Sequence, residues 1–450
     1  MRCNRQQCNC PVWLPTRVAY DMQPARPRPM DKNAGKLYIA LMELPARIFG
    51  MQNYEIAVVG GGLAGSVAAL ALARGGRKVV LVAPEHGGDD HRTTALMDHS
   101  IRFMERLGLW ESIVSSAAPL TVMQIIDGTD RLLRAPTAQF RAADLGLYAF
   151  GYNIPNRVLL DTLNSAVGAE ANITRLTSPM EAVAFSAEQA LMTLKDGQSI
   201  SAAFVVGSDG RGSKVRESAG IGTRRWAYPQ SAVVLNFQHS LPHGNVSTEF
   251  HTKAGPFTQV PLPGRRSSLV WVVPPQEADH LLGLPLDELS QAVEARMQSM
   301  LGKVTVEPGA QSWPLSSLMA DRFGKGRMAL VGEAAHAFPP IGAQGLNLSL
   351  RDVIALSEIL ATTTDRPVPS DTGERFNRRR RADIMSRTFG VDVLNRSLLS
   401  DFLPMQMMRA AGLHLISAMP PLRNLVMREG IEPGRGLRSF VETLREEIRR

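Results

Sequence analysis

From about residue 54 onward the chain alternates between apolar runs short enough for strands and longer runs with a helical period. Residues 56–59 (Ile-Ala-Val-Val) are apolar and β-favouring, which predicts a buried strand. The Ala/Leu-rich residues 63–74 predict a helix ended by Gly75 and Gly76, and residues 78–82 a second buried strand. A polar loop, 86–92, precedes a helical pattern over 94–107. Short strands and turns are expected over 119–150, and a helix over 156–167. Residues 190–194 and 199–206 alternate around Lys195-Asp196-Gly197, which is a hairpin signal. Between 232 and 273 only strand patterns occur, at 233–237, 247–250, 257–260 and 268–273. A helix over 286–301, a buried strand over 328–331, a helix over 348–360 and further helix complete the reading. No run reaches the ~18 apolar residues of a membrane-spanning helix.

Composition changes this picture little, and charge changes it in one place. The net charge of +8 would suit a nucleic-acid binder if it were spread over the fold. The first fifty residues alone carry eight Lys/Arg against three Asp/Glu, so +5 belongs there and only +3 to the remainder. Nucleic-acid binding loses its support. The same fifty residues lack periodicity and are rich in Pro and Arg (Pro24, Arg26, Pro27, Arg28, Pro29). Such a segment cannot order itself by burying apolar surface. It is expected to be a disordered tail, with Met51 as the true start; an Arg-rich organellar transit peptide is the alternative. All three cysteines, Cys3, Cys8 and Cys10, fall in this tail, with no histidine at ligand spacing, so neither disulfides nor a metal site is expected. A cytoplasmic protein fits that usage.

The candidate chemistry begins after the first strand. Gly60, Gly62 and Gly65 have G-x-G-x-x-G spacing between that strand and a helix. Gly60 would permit the tight turn, Gly62 the approach of a pyrophosphate to the backbone, and Gly65 close packing of helix on strand. Free N–H groups at the helix start would then face the phosphates. An acidic residue for the ribose is expected at the end of the second strand, where Ala83 and Pro84 stand; Glu85 is the nearest carboxylate. A second stretch, Asp209-Gly210 with Ser213 and Arg216, ends another strand in a turn. A third runs from the 328–331 strand into Gly332-Glu333-Ala-Ala-His336, Pro339-Pro340, Gly342 and Gly345-Leu346-Asn347. That is again a strand, a carboxylate, a glycine-rich loop and a helix start, suited to a flat heterocycle with carbonyl oxygens.

Taken together, the three stretches make the chain resemble the class A flavoprotein hydroxylases, the para-hydroxybenzoate hydroxylase group, over about residues 54–430. Within that family it looks most like the ubiquinone-biosynthesis hydroxylases. The residues that carry this are Asp90-His91-Arg92, Leu107 to Trp110, Gly151-Tyr152, Asn156-Arg157, Gln344 to Asn347 and Arg351-Asp352. The resemblance implies an α/β fold: a Rossmann-like FAD-binding domain (51–118, 150–226 and 311–370), an inserted mixed β-sheet substrate domain (119–149 and 227–310), and C-terminal helices (371–450). It implies FAD, held at its pyrophosphate by Gly60, Gly62 and Gly65, with Glu85 toward the ribose. Arg92, and Asp209 with Gly210, would reach the same cofactor or a donor, Glu333 the ribityl chain, and Gly345, Leu346 and Asn347 the flavin carbonyl edge. Pro340 and Gly342 would border the face where oxygen reacts. Position 333 is Glu where the family has Asp, one methylene longer. Two readings stand for Arg157, a phosphate ligand or a surface-helix residue, and two for His336, a general base or a structural histidine.

The implied reaction is hydroxylation of an aromatic ring, a polyprenylated phenol of ubiquinone biosynthesis, through a flavin C4a-hydroperoxide with NADH or NADPH as donor. Alternatives are hydroxylation of a small soluble aromatic, or a flavin-binding module without catalysis. The Met-rich stretch 398–427 is read as helix-packing surface or as a surface that meets a membrane or a biosynthetic complex and admits a prenyl tail. The run Arg378 to Arg381 is expected to be a solvated helix face.

Overall fold

Apolar runs that need cover on both faces build the first layer. In a computed structural model, residues 52–85, 90–128, 137–340, 343–361 and 367–399 are described, with the side chains of the last helix as far as Thr388. The expected tail with its cysteines, Gly342 and the Met-rich stretch 398–427 beyond its first two residues lie outside the described residues. Five strands run parallel in the spatial order Met328–Leu330, Ser199–Gly207, Gln52–Val59, Val79–Val82 and Ile173–Leu176. Residues 56–59, 79–82 and 328–330 are buried throughout, which is why they read as unbroken apolar runs rather than alternating ones. The hairpin Met180–Phe185 and Ala190–Leu194 extends this sheet antiparallel from Ser199–Gly207.

Register places the chemistry. Val59 pairs with Gly207, and Gly207 with Leu330, so three neighbouring strands end at one level. Each then turns into one of the three stretches singled out in the sequence. Helices Leu63–Arg74 and Gln344–Ala361 pack beside this end, and their buried sides join the main core. Each buried Leu, Ile or Val there contributes about 1.5–3 kcal/mol.

A second sheet of nine strands is mixed. Its path runs His336–Ala337, Gln311–Ala320, Thr223–His239, Arg266–Val273, Pro256–Leu262, Val246–His251, Val122–Asp127 and Ala138–Arg141, with only the Val246/Val122 pairing parallel. One face carries Val233, Leu235, Phe237, Leu269, Trp271 and Val273, covered by helices Pro275–Gly283 and Leu286–Arg296. The alternate positions, Ala232, Val270 and Val272, share a smaller apolar cluster with Leu315 and Tyr228. That second face is turned toward the first part of the chain. Ser268, on it, bonds to Thr93 (2.9 Å) and to Asn153 (3.1 Å) from the small sheet of Thr93–Met97, Gly151–Pro155 and Ala118–Pro119.

The structure departs from the sequence reading at four places. The expected helix over 94–107 is strand Thr93–Met97 followed by helix Asp98–Arg106. Two distant partners decide this: the segment pairs antiparallel with Gly151–Pro155, and the Asn347 amide, some 250 positions away, donates to the Ala95 carbonyl and accepts from the Met97 N–H. The helix expected from 348 starts at Gln344. Strand Gln311–Ala320, grouped in sequence with the dinucleotide-binding part, is hydrogen-bonded in the nine-stranded sheet, and strand Thr223–His239 runs across the expected boundary at 226/227. A register irregularity between Ala227 and Ser231 hides the alternation there. Lastly, the run Arg378 to Arg381 is not one solvated face. Arg380 is buried and bonded to Asp352, while Arg379 pairs with Glu358 near the surface.

Two neighbouring glycines should respond differently to the same change. A methyl at Gly65 would collide with the Gly60 carbonyl and the Ser208 hydroxyl, whereas one at Gly62 meets nothing. In urea unfolding, Gly65→Ala should lose roughly 1–3 kcal/mol, and Gly62→Ala should stay within about 0.5 kcal/mol of the parent.

Candidate functional site

At the first turn, Gly60 has φ +108°, a conformation that side chains resist. Its N–H donates to the Val82 carbonyl, and the Ser208 hydroxyl donates to the carbonyls of Val59 (2.8 Å) and Gly60 (3.0 Å). Gly62 caps helix Leu63–Arg74 with extended backbone and no side-chain cap, and the space beside it is open. The first N–H groups of that helix are therefore not satisfied by a capping side chain.

The second turn is locked to itself and to the third. Ser213 donates to Asp209 (2.5 Å) and accepts from the Arg216 N–H, and the other Asp209 oxygen accepts from the Val215 N–H. The Asp209 carboxylate is thus committed to the start of helix Lys214–Ser218, while Gly210 borders open space. Arg216 is buried and donates to the Ala334 carbonyl and to the Arg211 carbonyl, both at 2.8 Å. Burial, aided by nearby Arg225, holds its pKa below the usual guanidinium value. One guanidinium thereby ties the Asp209-Gly210 turn to the Glu333 loop. The sequence shows Arg216 only as the last letter of a motif; its role as a strut was not foreseen.

A rim of half-exposed groups surrounds Glu333. Arg211 donates to the Ser316 hydroxyl (2.8 Å) and lies 3.4 Å from a Glu333 oxygen. Arg92 makes a bidentate pair with Asp90, at 2.8 and 2.7 Å, and stacks over the Trp313 ring at 5.1 Å. The bond to Asp90, with Glu333 adding a weaker attraction, holds the Arg92 pKa above its usual value despite burial. Burial pulls the Asp90 carboxyl up, but Arg92 and Asn156 outweigh it and keep it low. Asn156 donates to Asp90 and accepts from Thr94, so this loop is braced.

The third turn leads to the head of helix Gln344–Ala361. Besides Ala95 and Met97, the Asn347 amide serves Ser100 (2.7 Å) and Ala343 (2.6 Å), so its side chain is fully engaged. Gly345 is exposed and open on its Cβ side, and Leu346 is half-buried. Behind this head lies a buried ionic frame. His336 Nε2 meets Asp352 at 2.6 Å, Arg380 donates to Asp352 at 2.8 Å, and Gly332 N–H donates to it at 3.2 Å. His336 also stacks on Phe338. With its ring so occupied and 1% exposed, His336 belongs to the framework rather than to the reacting atoms. Arg387 continues the frame by bonding Asp383 and Gln344. Burial, with Arg387 nearby, takes the Arg351 guanidinium down to about 10.

The remaining candidates stand apart from this convergence or at its edge. Glu85 is exposed in the loop after Val79–Val82, and Arg157 is exposed on helix Asn156–Ala169, 3.8 Å from Asp161. Its neighbour Asn156 makes the inward contact instead. Pro340 is exposed beside buried Pro339. Among the described residues no group of His, Cys, Asp and Glu is arranged to hold a metal. The site instead offers three openings at glycines (Gly62, Gly210, Gly345) where backbone can be approached, and one reachable carboxylate, Glu333. That set fits a long, phosphate-bearing cofactor with a polyol and a polar ring edge.

A family model described as an FAD binding domain matches residues 53–384. The chain belongs to that family, and it is a flavoprotein monooxygenase of the class A hydroxylase type. It is 34% identical to ubiquinone hydroxylase UbiL of Rhodospirillum rubrum over 388 residues, covering 84% of this chain and 89% of the relative. To 3-demethoxyubiquinol 3-hydroxylase of Escherichia coli it is 31% identical over 377 residues, covering 80% and 94%. Among solved structures, p-nitrophenol 4-monooxygenase PnpA of Pseudomonas putida superposes with a TM-score of 0.70 at 19% identity, covering 86% of this chain and 99% of that one. That last likeness speaks for the fold.

Glu333→Ala should weaken FAD retention at least tenfold in a fluorescence titration while leaving the melting temperature within about 2 °C, since the side chain is half-exposed. Asp352 should govern the acid limb. Burial pushes its carboxyl up, and His336 and Arg380 together outweigh this and hold it below the usual range. Its contribution is complete above the unfolded value near ~4 and is lost as pH falls through the lower folded value. Asp352→Asn should cost about 3–5 kcal/mol at neutral pH and flatten the loss of stability from about pH 5 to about pH 2, measured by urea unfolding.

Proposed function

We propose that this protein hydroxylates the ring of a polyprenylated phenol on the route to ubiquinone, using FAD, molecular oxygen and NADH or NADPH. The observation that carries this reading is the meeting of three turns at one end of a single parallel sheet, in a chain whose near-full-length relatives are named as ubiquinone hydroxylases. Bound FAD supplies the chemistry, taking electrons from the nicotinamide and activating oxygen. The chain supplies position. Helix Leu63–Arg74 presents free N–H groups to the pyrophosphate across Gly62, with Gly60 and Gly65 keeping the turn tight. Glu333 takes the ribityl hydroxyls, its extra methylene steadied by Arg211. The backbone of Gly345, Leu346 and Asn347 meets the flavin carbonyl edge, since the Asn347 side chain is already engaged.

Arg92 and Gly210 meet the same cofactor, Asp209 contributing through its backbone, and Glu85 serves its adenosine ribose. Pro340 and Gly342 border the oxygen face. The substrate ring lies against the second face of the nine-stranded sheet, where Ala232, Val270, Val272 and Leu315 keep water away. No helix among the described residues is long and apolar enough to cross a membrane. A prenylated substrate calls for approach to a membrane surface from the cytoplasmic side, alone or within a biosynthetic complex.

Deleting the gene tests the reading. The quinone precursor that accumulates, identified by mass spectrometry, should lack one ring hydroxyl and should disappear when the parent gene is restored. Unchanged quinone content would remove the ubiquinone assignment.

A further inference from the structure

The second face of the nine-stranded sheet, against which the substrate ring is placed, carries one charged group that the proposed function leaves unused. Register sets Val234, Val270, Thr258, Glu249 and Ile125 side by side in a row across five strands. All five are half-buried, whereas Leu269, Gln259 and Phe250, which point to the opposite face, are buried. The row is therefore the reachable one. Val270 joins the apolar cluster of Ala232, Val272 and Leu315, and Glu249 is the only ionisable member of the row. His251, two residues on and buried, meets one Glu249 oxygen through Nε2 at 2.7 Å. The Thr258 hydroxyl donates to the other oxygen at 3.3 Å. An ionised carboxylate only accepts, so His251 is the donor in this pair. Among the described residues no lysine or arginine pairs with Glu249.

We propose that Glu249, oriented by His251 and Thr258, binds the free ring hydroxyl of the phenolic substrate and so fixes which ring carbon is presented to the flavin. This deepens the proposed function and rests on it. A carboxylate has about four lone-pair directions, and His251 and Thr258 take two of them. A half-buried charge among apolar side chains is stabilised by each further donor, and a phenolic O–H makes a short, strong bond to an ionised acceptor. Spacing agrees. Neighbouring strands lie about 4.8 Å apart, so Val270 and Glu249 stand about 10 Å from one another across Thr258. That span seats an aromatic ring over Thr258, with an apolar contact to Val270 on one side and a hydrogen bond to Glu249 on the other. The same arrangement selects against a ring without a donor, which would cover the carboxylate and leave it short of a bond. Because His251 and Thr258 hold the carboxylate from two directions, the hydroxyl is met at one place and the ring takes one rotation.

The test is ligand binding to the FAD-loaded enzyme, read from the change in flavin absorbance. The two probes are a phenol carrying one short prenyl chain and the same compound with hydrogen in place of the hydroxyl. The parent should bind the phenol at least tenfold more tightly than the compound without the hydroxyl. Glu249→Gln, which keeps the shape but loses the charge, should cut that preference at least threefold, and Glu249→Leu should bring the two affinities within twofold of each other. In both variants the affinity for the compound without the hydroxyl, the FAD content and the melting temperature should stay at parent values, a pattern that a structural role alone would not give. A parent enzyme that binds the two probes within twofold of each other would overturn the proposal. So would a folded Glu249→Gln or Glu249→Leu enzyme that keeps the parent's preference. Either result leaves the hydroxylase reading standing, because the prenylated ring still binds. A parent that binds neither probe removes the inference together with the prenylated-substrate reading, on which the precursor found in the deletion strain reports independently.

Discussion

Pairing of Val59 with Gly207 and of Gly207 with Leu330 is the constraint on which the rest depends. Parallel neighbours in register end at the same height, so the turns that leave them must share the space above the sheet. In open α/β sheets that space, beyond the carboxyl ends of the strands, is where ligands bind. Crowding there accounts for the glycines. A side chain at 60 or 65 would strike the neighbouring turn, and the Ser208 hydroxyl holds two carbonyls of the first strand's end. Arg216 then fastens the second turn to the third through the Ala334 carbonyl. Moving one of the three turns means moving all of them.

A second tier keeps the third turn from drifting. Asp352 is wholly buried, yet it accepts from Gly332, His336 and Arg380, so its charge is surrounded by donors. Such a group is costly to bury and costlier to leave half-satisfied. What it provides is a fixed link between the loop carrying Glu333, helix Gln344–Ala361 and the helix carrying Arg380. A cofactor edge proposed to meet the first turn of Gln344–Ala361 needs that kind of rigid support.

Much of this was legible in the sequence because it rests on local rules. The β-α-β unit, the 190–207 hairpin and the strand-only region follow from periodicity and turn chemistry, and all appear where expected. Failures gather where a distant partner decides. Residues 94–97 have an acceptable helical pattern, but pairing with Gly151–Pro155 and the Asn347 amide together hold them extended. Arg380 sits in a run of four arginines that looks solvated until Asp352 is placed against it. The Ser213–Asp209 cap is different. Its spacing is visible in the sequence, and its geometry could have been anticipated from capping alone.

A common thread runs through the motif residues. Asp209, Ser213, Asn347 and Arg216 are the letters that make the stretches recognisable, and their side chains point back into the protein. What they leave facing outward is backbone: the N-terminus of Leu63–Arg74, the turn at Gly210 and the first turn of Gln344–Ala361. Backbone N–H groups offer partial positive charge without the desolvation cost of a cation, which suits a cofactor that carries phosphates at one end and carbonyls at the other. It also bears on Glu333 in place of Asp. Where the backbone does the holding and a braced Arg211 steadies the carboxylate, one added methylene shifts a contact at the rim without disturbing the frame behind it.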